Sequence, residues 1–451
     1  MRKRVRSDRC PGPLMTRTDQ APANIITPDS LWKQIFLNPR MLVCIFLGLS
    51  SGMPLYVLYQ LVPGWLRAEG IDLATIGLFA ILTLPYNWKF LWSPLLDRYR
   101  LPLLGRRRGW ILLMQVCLLF SIAGFAGIDP TDDITPVIWM VVATAFFSAT
   151  QDIVIDGYRR ELLPDRELGL GNSIHVNAYR ISSLVPGSLA FILADRMPWS
   201  AVFLVVAAFM VVGILSTLFI PETGDDSAAP TSLKAAIVEP FVEFFTRGSL
   251  QGALLVLGFI VLYKLGDNMA TALQTPFFID MGYSLTQIGT VAKFANLGAS
   301  IAGGIVGGVL MLRMSINRAL WLFGIVQMAS ILGYALLSVL EPNALALFAA
   351  TGFEYFGVGL GTAAISAFIA AQTNRRFSVT QLALLLSFVT LARTFTSALS
   401  GFLIEAVGYT SFFLICFALA VPGMMLLLWV APWSGSTTRQ DAVMQTARGN
   451  P

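Results

Sequence analysis

The sequence predicts an all-α integral membrane protein of twelve transmembrane helices in two six-helix halves. Three observations carry that expectation. The composition is 56% hydrophobic and 13% charged, about half the charge fraction of an average soluble domain, with mean hydropathy +0.70. Twelve apolar stretches each approach the roughly 20 residues that a helix needs to cross hydrocarbon. The first half also returns in the second about 212 residues later, because Leu73, Ile76 and Gly77 recur as Leu285, Ile288 and Gly289. Pro63 and Gly70 recur as Pro276 and Gly282, Gln115 as Gln327 and Arg180 as Arg393. Parallel half-repeats place a binding site at the midplane between the halves, where rocking exposes it to each side in turn. The chain reads as a secondary transporter.

In order along the chain, residues 1–40 form a basic leader rich in Arg, Pro, Thr and Asp, with no apolar run. It is expected to be disordered and not to be a cleavable signal peptide. The N-terminal bundle, 41–220, holds stretches at 41–66, 75–95, 110–127, 136–158, 169–194 and 200–220. A linker at 221–250 begins with the breakers Pro221, Gly224 and Pro230, and then repeats Leu233, Ile237, Phe241, Phe244 and Phe245 at helical spacing. That pattern suits a short helix along the membrane surface, or a plain tether given Pro240. The C-terminal bundle, 251–433, holds stretches at 251–279, 285–311, 318–340, 344–372, 381–406 and 410–433, and 434–451 is a tail. One set of links and tails collects 24 Lys and Arg, the opposite set only Arg67 and Arg196. This bias places both termini in the cytoplasm. The +5 net charge follows from the same asymmetry and implies no nucleic-acid partner. Cys44, Cys117 and Cys416 lie in apolar stretches and Cys10 in the leader, without metal-ligand spacing, so no metal, cofactor or disulfide is expected.

Charges inside apolar stretches carry the functional signal, since each costs roughly 2.5–3.5 kcal/mol at the bilayer centre on insertion scales. Asp152 and Asp156 share a helical face, with Arg159 one turn on; two like charges there do not neutralise each other. Lys264 and Asp267 stand at i, i+3, either as a self-neutralising pair or as part of a coupling device, and Glu354 lies in the tenth stretch. Asp152, Asp156, Asp267 and Glu354 are the candidates for carrying a proton, because coupling needs a partly desolvated carboxylate near a movable cation. His175 is the sole histidine and its place near a helix start favours a solvated or capping role over a relay. Lys89 and Glu405 lie near helix ends, where they snorkel or seal the two rims.

Candidate substrate ligands are Arg180, Arg393, Lys264 and Lys293 for anions, with Tyr56, Tyr59, Gln60, Tyr263 and Gln274 as aromatic and amide groups on facing helices. Sugar rings stack on aromatics while their hydroxyls bond to amides, and guanidinium forks hold carboxylates bidentately. Core tyrosines and arginines bracing a neighbouring carboxylate are the plain structural alternatives.

Asp97-Arg98 followed by Gly105, Arg106, Arg107, Arg108 and Gly109 resembles the cytoplasmic loop signature of the major facilitator superfamily. Its second-half copy is degraded to Arg313 and Arg318. Lys89-Phe90-Leu91-Trp92-Ser93-Pro94-Leu95, Gln151-Asp152-Ile153-Val154 with Asp156, and Leu262-Tyr263-Lys264-Leu265-Gly266-Asp267 resemble the AmpG family of muropeptide permeases through all twelve stretches. The long basic leader, and the absence of extra C-terminal helices found in some members, depart from it. The resemblance implies a major facilitator fold. It also implies proton-driven import of N-acetylglucosaminyl-1,6-anhydro-N-acetylmuramic acid, with or without stem peptide, for cell-wall recycling. Asp97, Arg98, Arg106, Arg107 and Arg108 become a cytoplasmic gate. The expected partners are the muropeptide, protons and the lipid bilayer, with a monomer as the working unit. Rival readings are a carrier of another amphiphilic anion such as an acyl-coenzyme A, a polytopic membrane enzyme, and a sensor or scaffold. No nucleophile, metal cluster or phosphate loop stands out for an enzyme.

Overall fold

A computed structural model describes residues 38–99, 101, 105–222, 250–372 and 378–433. Nearly all of the leader and of the linker, and the C-terminal tail, lie outside the described residues, as do the side chains of Asp97 and Arg98. The twelve helices run as α1 Pro39–Ala68, α2 Leu73–Trp88, α3 Arg106–Gly127, α4 Thr135–Leu162 and α6 Trp199–Phe219, with α5 spanning residues 165–194. The second half has α7 Leu250–Asp280, α8 Leu285–Met311, α9 Ile316–Leu337 and α10 Ala344–Ala371. It ends with α11 over residues 378–407 and α12 over 409–430, which meet at Gly408 with φ 74°. That backbone region is open to glycine at little cost, so the chain turns there between two antiparallel helices. Phe120, Trp139, Leu312 and Trp429 stand exposed on the perimeter, as a lipid-facing surface requires.

The repeat seen in the sequence is a repeat of structure. Gly70 and Gly282 turn the corresponding links with φ 86° and 85°. Gln115 and Gln327 are both buried and tie their own bundles together. Gln115 donates to Ser50 Oγ at 2.9 Å and accepts from Thr217 at 2.8 Å, while Gln327 Oε1 accepts from Lys264 at 3.0 Å. Each half closes its far end with an aromatic cluster, Trp65, Phe125 and Phe203 in the first and Phe277, Tyr334 and Phe413 in the second.

Several helices are interrupted, and proline supplies a cause. Pro276 has no N–H and its ring would clash with the carbonyl of residue 272; α7 breaks at Leu273, and a new segment, Gln274–Asp280, begins there. Pro186 lies in a π-turn, Val185–Leu189, after the first part of α5 ends at Ser182. Pro63 follows the π-turn Val57–Leu61 in α1. In α2 a 3₁₀ stretch, Phe79–Thr83, precedes Pro85, and short turns continue to Arg98. A third π-turn, Ile288–Ala292, sits in α8 behind a capping box made by Ser284 and Gln287. Such interruptions survive in a membrane only where other groups or a cavity take up the freed backbone.

Candidate functional site

Helices α1, α2 and α5 of the first half and α7, α8, α10 and α11 of the second enclose a cavity of about 580 Å³, within the usual size of small-molecule sites. Tyr56, Tyr59, Gln60, Arg180, Gln274, Lys293 and Arg393 all line it. Tyr263 and Lys264, expected beside them, stand elsewhere. The Tyr263 hydroxyl donates to the Leu320 carbonyl at 3.0 Å, and Lys264 pairs with Asp267 at 2.7 Å. Both face the α9 side of α7, because the break at Lys264 changes the helical phase between them and Gln274. Thr83, Asn296, Ser300, Tyr355 and Ser397 also line the cavity. Tyr355 and Asn296 carried no charge or repeat signal that would have singled them out.

Three cations, Arg180, Lys293 and Arg393, border the cavity, and among the described residues that line it none is aspartate or glutamate. The Lys293 ammonium is buried, accepted by Gln60 Oε1 at 2.8 Å and placed 5.3 Å from the Tyr56 ring centre. The Arg393 guanidinium lies 5.1 Å from the Tyr59 ring. Tyr355 donates to Gln274 at 2.6 Å. Cations, aromatic faces and amides from both halves thus surround one space, a composition suited to an anionic ligand with hydroxyl groups.

The cavity is sealed on the side opposite the chain's entry and exit, here called the distal side. Arg67 at the end of α1 pairs with Asp280 at the end of α7, and Tyr409 of α12 donates to the second oxygen of Asp280 at 2.6 Å. Glu405 of α11 accepts from the Ala74 N–H that opens α2 at 3.0 Å, and Asp195, which caps the end of α5, accepts from the Thr286 N–H that opens α8 at 2.7 Å. Each carboxylate meets a helix N-terminus, where unpaired N–H groups and the helix dipole favour negative charge. Glycines bring these helices close: a side chain at Gly401 would overlap the Leu73 carbonyl, and one at Gly289 would overlap that of Ser188. On the terminal side Arg106 and Arg107 both pair with Glu161 at 2.8 Å. Arg108 donates to the carbonyls of Thr217 and Leu218. These partners belong to the same half.

The four carboxylates proposed to carry a proton fall into two unlike settings. Asp152 accepts from Ser51, while Asp156 is exposed and pairs with Arg159 at 2.8 Å, so its charge is answered by a cation one turn away. In the second half Asp267 and Glu354 are both buried. Asp267 Oδ2 takes Lys264 and Glu354 Oε2 takes Ser330 at 2.8 Å. The remaining oxygens, Asp267 Oδ1 and Glu354 Oε1, receive no donor, and the two carboxylates are close enough to influence each other. Two carboxylates cannot bond to each other without a proton between them. His175 is buried with its Nδ1 unbonded.

Comparison with known proteins fits this architecture. The family model described as Major Facilitator Superfamily matches residues 88–372. The chain is 41% identical to the anhydromuropeptide permease of Escherichia coli K12, over 89% of this chain and 81% of that one. It is 30% identical to a putative transporter AmpG 4 of Rickettsia conorii, over 88% and 98%. The chain belongs to the AmpG family of the major facilitator superfamily. Among solved structures, a D-xylose-proton symporter shares the fold with a TM-score of 0.66 at 13% identity, covering 88% of this chain and 98% of that one. The AmpG family assignment makes this a multi-pass membrane transporter and not an enzyme, as the sequence led one to expect.

Proposed function

We propose that this AmpG-family chain imports anhydromuropeptides, N-acetylglucosaminyl-1,6-anhydro-N-acetylmuramic acid with or without stem peptide, from periplasm to cytoplasm with protons. The observation that carries the reading is the central cavity: three cations, tyrosine faces and amides, drawn from both halves, with no lining carboxylate among the described residues. The muramyl and peptide carboxylates answer the cations, and the sugars answer the rings and the amides of Gln274 and Asn296. The name of the Escherichia coli relative supports the same substrate. An acyl-coenzyme A would satisfy the cations equally well, but that name favours the sugar.

In this reading the terminal side faces the cytoplasm, in keeping with the distribution of Lys and Arg, and the distally sealed state is the one that releases substrate inward. The basic run Arg106 to Arg108, with Asp97 and Arg98, engages the other half only when the cytoplasmic side closes. One chain encloses the whole cavity, which supports a working monomer. Of the proton-carrying candidates, Asp267 with Glu354 has the stronger geometry. Lys264 offsets one of two negative charges, and a single proton would neutralise the buried cluster.

The test is uptake of labelled anhydro-disaccharide into right-side-out and inverted vesicles, with and without a pH gradient. Arg393→Leu and Arg180→Leu should each raise KM by about tenfold or more, the worth of a charge-assisted hydrogen bond, with the protein still in the membrane. Unchanged KM in both variants would count against an anion held at these residues.

A further inference from the structure

Three π-turns occur among the described residues, in α1 at Val57–Leu61, in α5 at Val185–Leu189 and in α8 at Ile288–Ala292. All three meet at one point. Gln60 belongs to the first, Lys293 follows the third directly, and their side chains join across the halves at 2.8 Å. Gly187 of the second lies beneath them, and any side chain there would overlap Gln60 Oε1 and crowd Lys293 Nζ. A π-turn distorts regular helix hydrogen bonding and tends to persist at functional positions. The convergence of three on a single inter-half bond therefore calls for an account.

The bond has an unusual character. Lys293 is a buried cation, yet among the described residues it makes no ion pair with a carboxylate; its partner is a neutral amide, backed by the Tyr56 ring. An ammonium in such a place needs a partner in every state the carrier visits. Gln60 and Lys293 belong to different halves, each about two turns inside the distal seal, so opening the distal side pulls them apart and leaves the ammonium to whatever enters.

We propose that Gln60 is a resident stand-in for the substrate carboxylate: it holds Lys293 when the carrier is empty and distally closed, and displaces the carboxylate after closure. This rests on the reading that Lys293 takes a carboxylate of the substrate. A neutral amide suits the task because it satisfies the ammonium without cancelling its charge. A carboxylate at residue 60 would bind Lys293 too firmly and exclude the substrate. No partner at all would leave the ammonium bare after release, so the product would be held and the empty carrier would return slowly. Gln60 acts through Lys293 as a positioning residue, and Gly187 makes room for it.

The test compares KM and kcat for uptake of labelled anhydro-disaccharide in vesicles, with the amount of carrier in the membrane measured alongside. Gln60→Met keeps the length of the side chain and removes the acceptor. It should lower KM by about tenfold, the lower end of the worth of a hydrogen bond to a charged group, and lower kcat with it. Gly187→Ala, which forces the amide off Lys293 from the other side, should move both constants the same way. Gln60→Glu should instead raise KM steeply. A merely structural Gln60 would give lower kcat with KM unchanged or raised in Gln60→Met and Gly187→Ala, and that result would overturn the proposal. Lys293→Met separates the two readings. If it leaves KM unchanged, Lys293 does not hold the substrate and both readings fail. If it raises KM while Gln60→Met does not lower it, only the stand-in role fails.

Discussion

Asp280 is where removing a single charge should shift the balance between the carrier's two states. Its carboxylate holds two other helices at once, Arg67 of α1 through one oxygen and Tyr409 of α12 through the other. The Arg67 contact joins the halves, and the side chains are only 25% and 17% exposed, so water screens the pair weakly. Asp280→Asn keeps the shape and removes the charge. A hydrogen bond between charged groups contributes about 1.5–3 kcal/mol. Because the distal ends separate when that side opens, the loss falls on the closed state alone. A loss of about 2 kcal/mol moves the equilibrium roughly 30-fold toward the distally open state. Thr275 lines the cavity and packs beneath Gly64, just inside the seal. In a variant with the native cysteines replaced, a cysteine at residue 275 should react with a membrane-impermeant thiol reagent from the distal side at a rate set by the open fraction. The expected outcome is a rate increase of that order in Asp280→Asn, abolished by substrate analogues that favour closure. An unchanged rate, with Arg67→Gln equally silent, would refute the view that these residues hold the distal side shut.

Two further outcomes are expected. Glu354→Gln should abolish accumulation driven by a pH gradient while substrate exchange between the two sides survives; Asp152→Asn should retain gradient-driven uptake, and the reverse pattern would return the proton to the first half. For orientation, a cysteine at Asp132 should label only from outside the cell and one at Arg313 only from inside, so labelling of both from one side would contradict the assignment of the terminal side to the cytoplasm.

What the sequence determined by itself is the outline that chemistry forces on any chain in lipid. Apolar stretches of membrane length can satisfy their backbone only as helices, so their number and order were legible, and the recurrence of Pro63 as Pro276 or Arg180 as Arg393 announced two equivalent bundles. The presence of costly charges at depth was legible for the same reason. Which way each charge faces was not. Lys264 and Lys293 look alike in sequence, yet one is locked in its own half to Asp267 and Gln327 and the other reaches across the cavity to Gln60. The difference arises because helix phase is reset at Lys264 and Leu273 in α7 and at the π-turn before Lys293, and a period of 3.6 counted along the sequence cannot carry through such a break. Asp152 and Asp156 share a face as their spacing requires, but Arg159 answers Asp156, whereas the approach of Asp267 to Glu354 joins residues 87 positions apart on helices that only the packed bundle brings together. Arg67 and Asp280 meet for the same reason. Local spacing along the chain decided what can be buried; the tertiary packing of interrupted helices decided which of those groups are neighbours.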